Sequence, residues 1–153
     1  MYMNYNNCFS GKFSPKNYSK YKGNPTNIVF RSSWELKFMH YCDMYSEVLE
    51  WNSEEIVIPY FCPVQNKYRR YFVDFYIKIQ EKTGEIKKYL IEIKPKKQVM
   101  PPDQNPKKKT KRWLNENITY ATNQAKWKAA KEYCDDRLME FKILTEDDIQ
   151  VRS

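Results

Sequence analysis

The chain has 153 residues, of which 41% are hydrophobic and 16% aromatic. That is enough apolar mass for one domain with a core, and it excludes a disordered tract. The formal charge of +8 is concentrated in residues 1–30, with four lysines and no acid, and in residues 94–112, with seven lysines and Arg112 against Asp103 alone; a polyanion is the expected partner.

Four scattered cysteines without a CxxC pair, and a single histidine, His40, argue against a zinc site. The cysteines read as reduced thiols in a cytosol, no signal peptide is evident, and no apolar run reaches the length of a membrane span. Residues 1–27 show neither helical nor strand period and are expected to form a basic, aromatic-rich arm, with residues 28–153 as a single domain. Tyr5, Phe13, Tyr18 and Tyr21 interleave with lysines there, a composition suited to packing on a body or stacking on DNA.

Residues 30–45 predict a helix. Ser32 and Glu35 form an S-x-x-E capping box, and Trp34, Phe38, Tyr41 and Tyr45 recur at helical spacing. Residues 48–51 and 55–60 predict short strands, with Pro59 holding the second to an edge or an end. Residues 62–70 turn the chain back.

Residues 70–79 and 87–94 then read as two strands joined around Thr83-Gly84, since glycine reaches positive φ at little cost. In the first run Tyr71, Val73, Phe75, Ile77 and Ile79 alternate with Phe72, Asp74 and Tyr76. In the second, Tyr89, Ile91 and Ile93 oppose Leu90, Glu92 and Lys94. A loop centred on Thr83 places Asp74 across from Glu92, with Lys94 on the same face. Two carboxylates among apolar neighbours are costly unless a cation sits between them. Magnesium, or manganese in its place, suits Asp74 and Glu92, with the Ile93 carbonyl as a third oxygen. Lys94 then orients the attacking water and offsets charge in the transition state. The competing reading is a surface hairpin with a solvated cross-strand pair, and the apolar arms weigh against it.

Four prolines make residues 95–106 an irregular loop. Lys107, Lys108, Lys109, Lys111 and Arg112 follow, extended by Lys96 and Lys97, and are placed to hold a phosphate backbone; a solvated face is the alternative. Residues 113–137 predict a helix with Leu114, Ile118, Ala121 and Ala125 on one stripe and a break near Asn117 or Thr119. Residues 141–144 predict a strand parallel to the Glu92 strand, because a helix makes the crossover. Thr145 caps a last helical turn. The sum is an α/β sandwich with a mixed central sheet between helices.

Asp74 followed by Glu92-Ile93-Lys94 resembles the core of the PD-(D/E)xK nuclease superfamily, with Val73 where the motif's proline stands. The blocks at residues 10–25, 30–35, 58–61, 69–75, 91–97, 126–130 and 141–147 resemble the head completion nucleases of T4-type tailed bacteriophages. The resemblance implies a PD-(D/E)xK fold and a magnesium-dependent deoxyribonuclease with Asp74, Glu92 and Lys94 at its centre. It brings Glu35 into the metal site, where the capping box alone reads it as structural. It also adds Asn123 and Lys126 to the residues that contact DNA, and leaves Trp127 to the core. The implied role is processing DNA ends at the packaged head before the tail joins, with portal or neck proteins as candidate partners. The implied location is the host cytoplasm during assembly, with the head–neck region of the virion as a second one. Two other readings compete: a structural protein that binds DNA or portal without cutting, and a Holliday-junction or transposon-end nuclease on the same fold.

Overall fold

The computed structural model describes residues 9–150, and the turn at Thr83-Gly84 sets the register of its main sheet. Gly84 takes φ +90°, and its amide donates to the Glu81 carbonyl at 2.8 Å. Strands β1 (Gly11–Lys12) and β2 (Val29–Phe30) form a small antiparallel pair ahead of helix α1 (Ser33–Met44). There follow β3 (Val48–Ser53), β4 (Val57–Cys62), β5 (Lys67–Phe72), β6 (Phe75–Gln80) and β7 (Ile86–Ile93). The chain closes with α2 (Lys96–Val99), α3 (Lys111–Asp135), β8 (Glu140–Leu144) and α4 (Glu146–Gln150). The main sheet has the order β3-β6-β7-β8, antiparallel except for the β7–β8 pair, while β4 and β5 form a separate ribbon.

The strand expected over residues 70–79 is two strands, which corrects the sequence reading. β5 pairs with β4; at Val73 the amide bonds the Ile56 carbonyl, and Asp74 accepts from the Glu54 amide, both at 3.1 Å. From Phe75 the chain takes β3 and β7 as partners instead. The alternation flips at this change of partners. Tyr71 and Val73 therefore share a core with Tyr76 and Leu90, while Phe75 and Ile77 point to the other face.

Each face of the main sheet carries its own core. On one side Phe75, Ile91 and Ile93 pack against Phe38 and Met39 of α1, Ile149 of α4 and the fully buried Trp51. On the other, Leu90 and Tyr76 pack against the inner face of the β4–β5 ribbon and against Trp127, Ala130 and Cys134 of α3. Trp127 is core, as expected. The three described cysteines, Cys42, Cys62 and Cys134, are buried and free; Cys8 and Tyr5 lie outside the described residues. No helix among the described residues is long and apolar enough to cross a membrane.

The described part of the first 27 residues lies on the first core. Phe13 and Tyr21 meet the Trp51 ring edge-on at 5.9 and 4.8 Å, whereas Tyr18 is exposed. Asp43, 2% exposed, accepts the amides of Lys16 at 2.9 Å and Asn17 at 3.0 Å. Asp43→Ala leaves two backbone donors without an acceptor and is expected to cost about 2–4 kcal/mol. Melting temperature checks the cost, and faster amide exchange over residues 13–21 checks that the loss is local.

The second half of the molecule departs from expectation in two more places. α2 interrupts the proline-rich loop, and α3 runs unbroken through Asn117, whose side chain donates to the Trp113 carbonyl at 2.8 Å. Leu114 and Ile118 are exposed; the buried residues of α3 are Asn123, Trp127, Ala130 and Cys134. Only the second half of α3 covers the sheet and ribbon, and its first half faces the 95–103 segment across a groove. β8 is parallel to β7, and the Thr145 hydroxyl accepts from the Asp147 amide at 3.3 Å at the start of α4.

Candidate active site

The β6–β7 register pairs Phe75 with Ile91, and one residue further on Asp74 comes level with Glu92. Period-two alternation puts Glu92 on the face of β7 that carries Leu90, turned toward α3 and the ribbon. The Ile93 amide donates to Asp74 Oδ2 at 2.8 Å, and the Tyr71 hydroxyl donates to Glu92 Oε1. Lys94 Nζ lies 3.7 Å from Glu92 Oε2. Glu92 is 4% exposed, so a carboxyl group has been drawn into a largely apolar wall.

The electrostatics follow from that burial. Loss of water pushes the Asp74 carboxyl well above the usual range, and the charges of Glu92 and Glu35 push it further; the Ile93 amide and Lys94 oppose the shift. Burial raises Glu92 as well, against the pull of Lys94, Tyr71 and Lys126. Each carboxyl thus sits in the other's field in a site that water does not reach. Two carboxylates enclosed in this way fit a divalent cation, which would offset their charge and keep part of its water shell.

Glu35 contributes to the field at Asp74, with its carboxylate engaged at its own helix end. Its amide donates to Ser32 Oγ at 3.1 Å, while its carboxylate accepts from the Arg31 amide and the Ser32 hydroxyl, both at 3.3 Å. The capping box is thus present, with the carboxylate reaching Arg31 rather than the Ser32 amide. Glu35 is 8% exposed and burial raises its pKa. Among the described residues no three His, Cys, Asp or Glu side chains are gathered as a metal centre.

The structure adds three residues that the motif did not mark as neighbours of the acid pair. Tyr71 reaches Glu92 because β5 turns its inner face to the same core. Lys126 of α3 lies over the rings of Tyr60 and Tyr71, at 5.9 and 5.6 Å, in the fields of Lys94, Glu92 and Asp74; burial lowers its pKa. Arg31 pairs with Glu54 at 2.6 Å in the fields of Glu35 and Asp74. Only long-range packing brings these groups together, so no local spacing announces them. The other basic residues singled out in the sequence are on the surface. Lys107, Lys108, Lys109 and Lys111 are exposed, as is Lys97, while Lys96 pairs with Asp147 at 3.2 Å and Arg112 with Glu116 at 3.3 Å. Asn123 is 4% exposed, and its amide nitrogen has no hydrogen-bond partner among the described residues.

Two comparisons with known proteins identify the family. Residues 45–146 match the family described as TnsA-like endonuclease N terminal. The matched stretch holds Asp74, Glu92 and Lys94 and begins after Glu35. The head completion nuclease of Enterobacteria phage T4 is 44% identical over 146 residues, covering 94% of this chain and 95% of that protein. A mixed sheet between helices, with an acid pair and a lysine on its central hairpin, is the PD-(D/E)xK arrangement, and the chain belongs to the TnsA-like endonuclease family, among the head completion nucleases of T4-type tailed bacteriophages.

Proposed function

We propose that the protein is a magnesium-dependent deoxyribonuclease that processes DNA ends at the packaged phage head before the tail joins. The observation that carries the chemistry is the enclosed Asp74–Glu92 pair facing Lys94. A protein that only grips DNA gains nothing from two carboxylates turned toward phosphate. The head-completion role rests on the phage T4 relative.

In this reading Asp74, Glu92 and the Ile93 carbonyl hold the ion, manganese serving as a substitute, and Glu35 completes the acidic cluster. The bound ion supplies Lewis-acid polarisation of the phosphodiester. Lys94 orients the attacking water and offsets charge on the phosphoryl oxygens. Tyr71 fixes one rotamer of Glu92, and Lys126 adds positive charge from the α3 side. The basic run 107–112, with Lys96 and Lys97, tracks the phosphate backbone. Purified protein should cut linear duplex DNA with magnesium and stop when EDTA is added. DNA left intact across a magnesium titration overturns the reading.

Glu35→Gln separates its two roles. Glutamine serves the capping box nearly as well but is a poor magnesium ligand. Melting should stay within a few degrees, since a cap is worth about 1 kcal/mol. Cleavage should fall by orders of magnitude or need far more magnesium. Full activity in Glu35→Gln assigns the residue to the cap alone.

A further inference from the structure

A groove of about 840 Å³ lies between the 95–103 segment and the first half of α3. Its lining combines two kinds of group. Lys97, Lys111 and Arg112 bring positive charge, while Met100, Pro101 and Tyr120 bring apolar and aromatic surface. The acids on the same lining are Asp103 and Glu116, and Glu116 already pairs with Arg112. The volume is that of an ordinary small-ligand cleft.

The groove is continuous with the active site along two elements. Pro95, in its wall, follows Lys94 directly. On α3, Glu116, Tyr120, Asn123 and Lys126 succeed one another at three- and four-residue steps, so they share a helix face running from groove to acid pair. Asn123, with its buried unpartnered amide nitrogen, lies midway on that face.

We propose that this groove binds an unpaired DNA strand, so that the enzyme is seated where duplex and single strand meet. The proposal rests on the nuclease reading and names the substrate structure for the same site. Duplex DNA offers a protein its phosphates and groove edges, and stacking hides the flat faces of its bases. A lining that joins methionine, proline and tyrosine to lysine and arginine matches a strand whose bases are free to lie on it. The net positive lining rules for a polyanion over an apolar or basic peptide.

The test measures affinity by fluorescence anisotropy in EDTA, where nothing is cut, at one salt concentration. Full-length protein is titrated with a blunt duplex and with the same duplex carrying a short unpaired thymidine tail. The tailed DNA should bind about tenfold more tightly or better. Tyr120→Ala should lower that preference about tenfold, and Tyr120→Phe, which keeps a ring, should restore it. Met100, in an exposed segment, provides a change that leaves the core alone: Met100→Ser should also reduce the preference. Equal affinity for blunt and tailed DNA overturns the proposal, as does a tail preference unchanged in Met100→Ser and in Tyr120→Ala. The assay is independent of cleavage. Tail preference without magnesium-dependent cutting leaves the groove standing and removes the nuclease reading; cutting without tail preference does the reverse.

Discussion

Asp74→Asn and Glu92→Gln are each expected to reduce DNA cleavage roughly a thousandfold or more while leaving the fold intact. Both replacements are near-isosteric, so the Ile93 amide and the Tyr71 hydroxyl keep an acceptor. Neither offers a divalent cation a charged oxygen. The same variants should stabilise the metal-free protein, by about 1 kcal/mol each, because they remove a buried like-charge pair. The sign against pH is fixed by the direction of the shifts. Both carboxyls are raised by burial, so the folded state holds protons that the unfolded chain releases. That contribution is present below the ordinary carboxylate range and is lost as pH rises through the raised values. The melting advantage of the variants over wild type, in EDTA, should therefore widen from roughly pH 5 to pH 8 and shrink when magnesium is added. An advantage that is constant across that range shows that the pair does not carry the charge assigned to it.

Neutralising Lys107, Lys108, Lys109 and Lys111 together is expected to weaken binding to all DNA sequences alike. All four are exposed, and Lys109 lies 6.0 Å from the centre of the Trp113 ring, so their loss should not touch a core. Each phosphate contact removed lowers the log–log salt slope by about 0.9 on duplex DNA, and four would lower it by about 3.6. A slope that does not move means the run faces solvent only. Arg112 is left out of this set because Glu116 already engages it.

The part of the site that lies on one hairpin was legible from the residues. Gly84 and the two-residue period specify where the turn falls, and that alone puts Asp74 level with Glu92. The capping box at Ser32 was likewise readable because its partners are three residues apart. The break at Val73-Asp74 was not. No glycine or proline marks it, and the apolar alternation continues through it; only the competition of β4 against β3 and β7 for partners divides the strand there. The exposed stripe of Leu114 and Ile118 failed for a similar reason, since helical period says which residues share a face but not which face meets the sheet. Tyr71 and Lys126 reach the acid pair from elements 21 and 34 residues distant from Glu92 in sequence. Their place is a product of packing.

The most direct test of the central claim is a crystal of the wild-type chain soaked in manganese and measured at the metal's absorption edge. An anomalous peak is expected, bounded by the carboxylates of Asp74 and Glu92, with oxygen distances near the roughly 2.1 Å of the magnesium it replaces. A map with no peak between those two side chains at saturating manganese contradicts it.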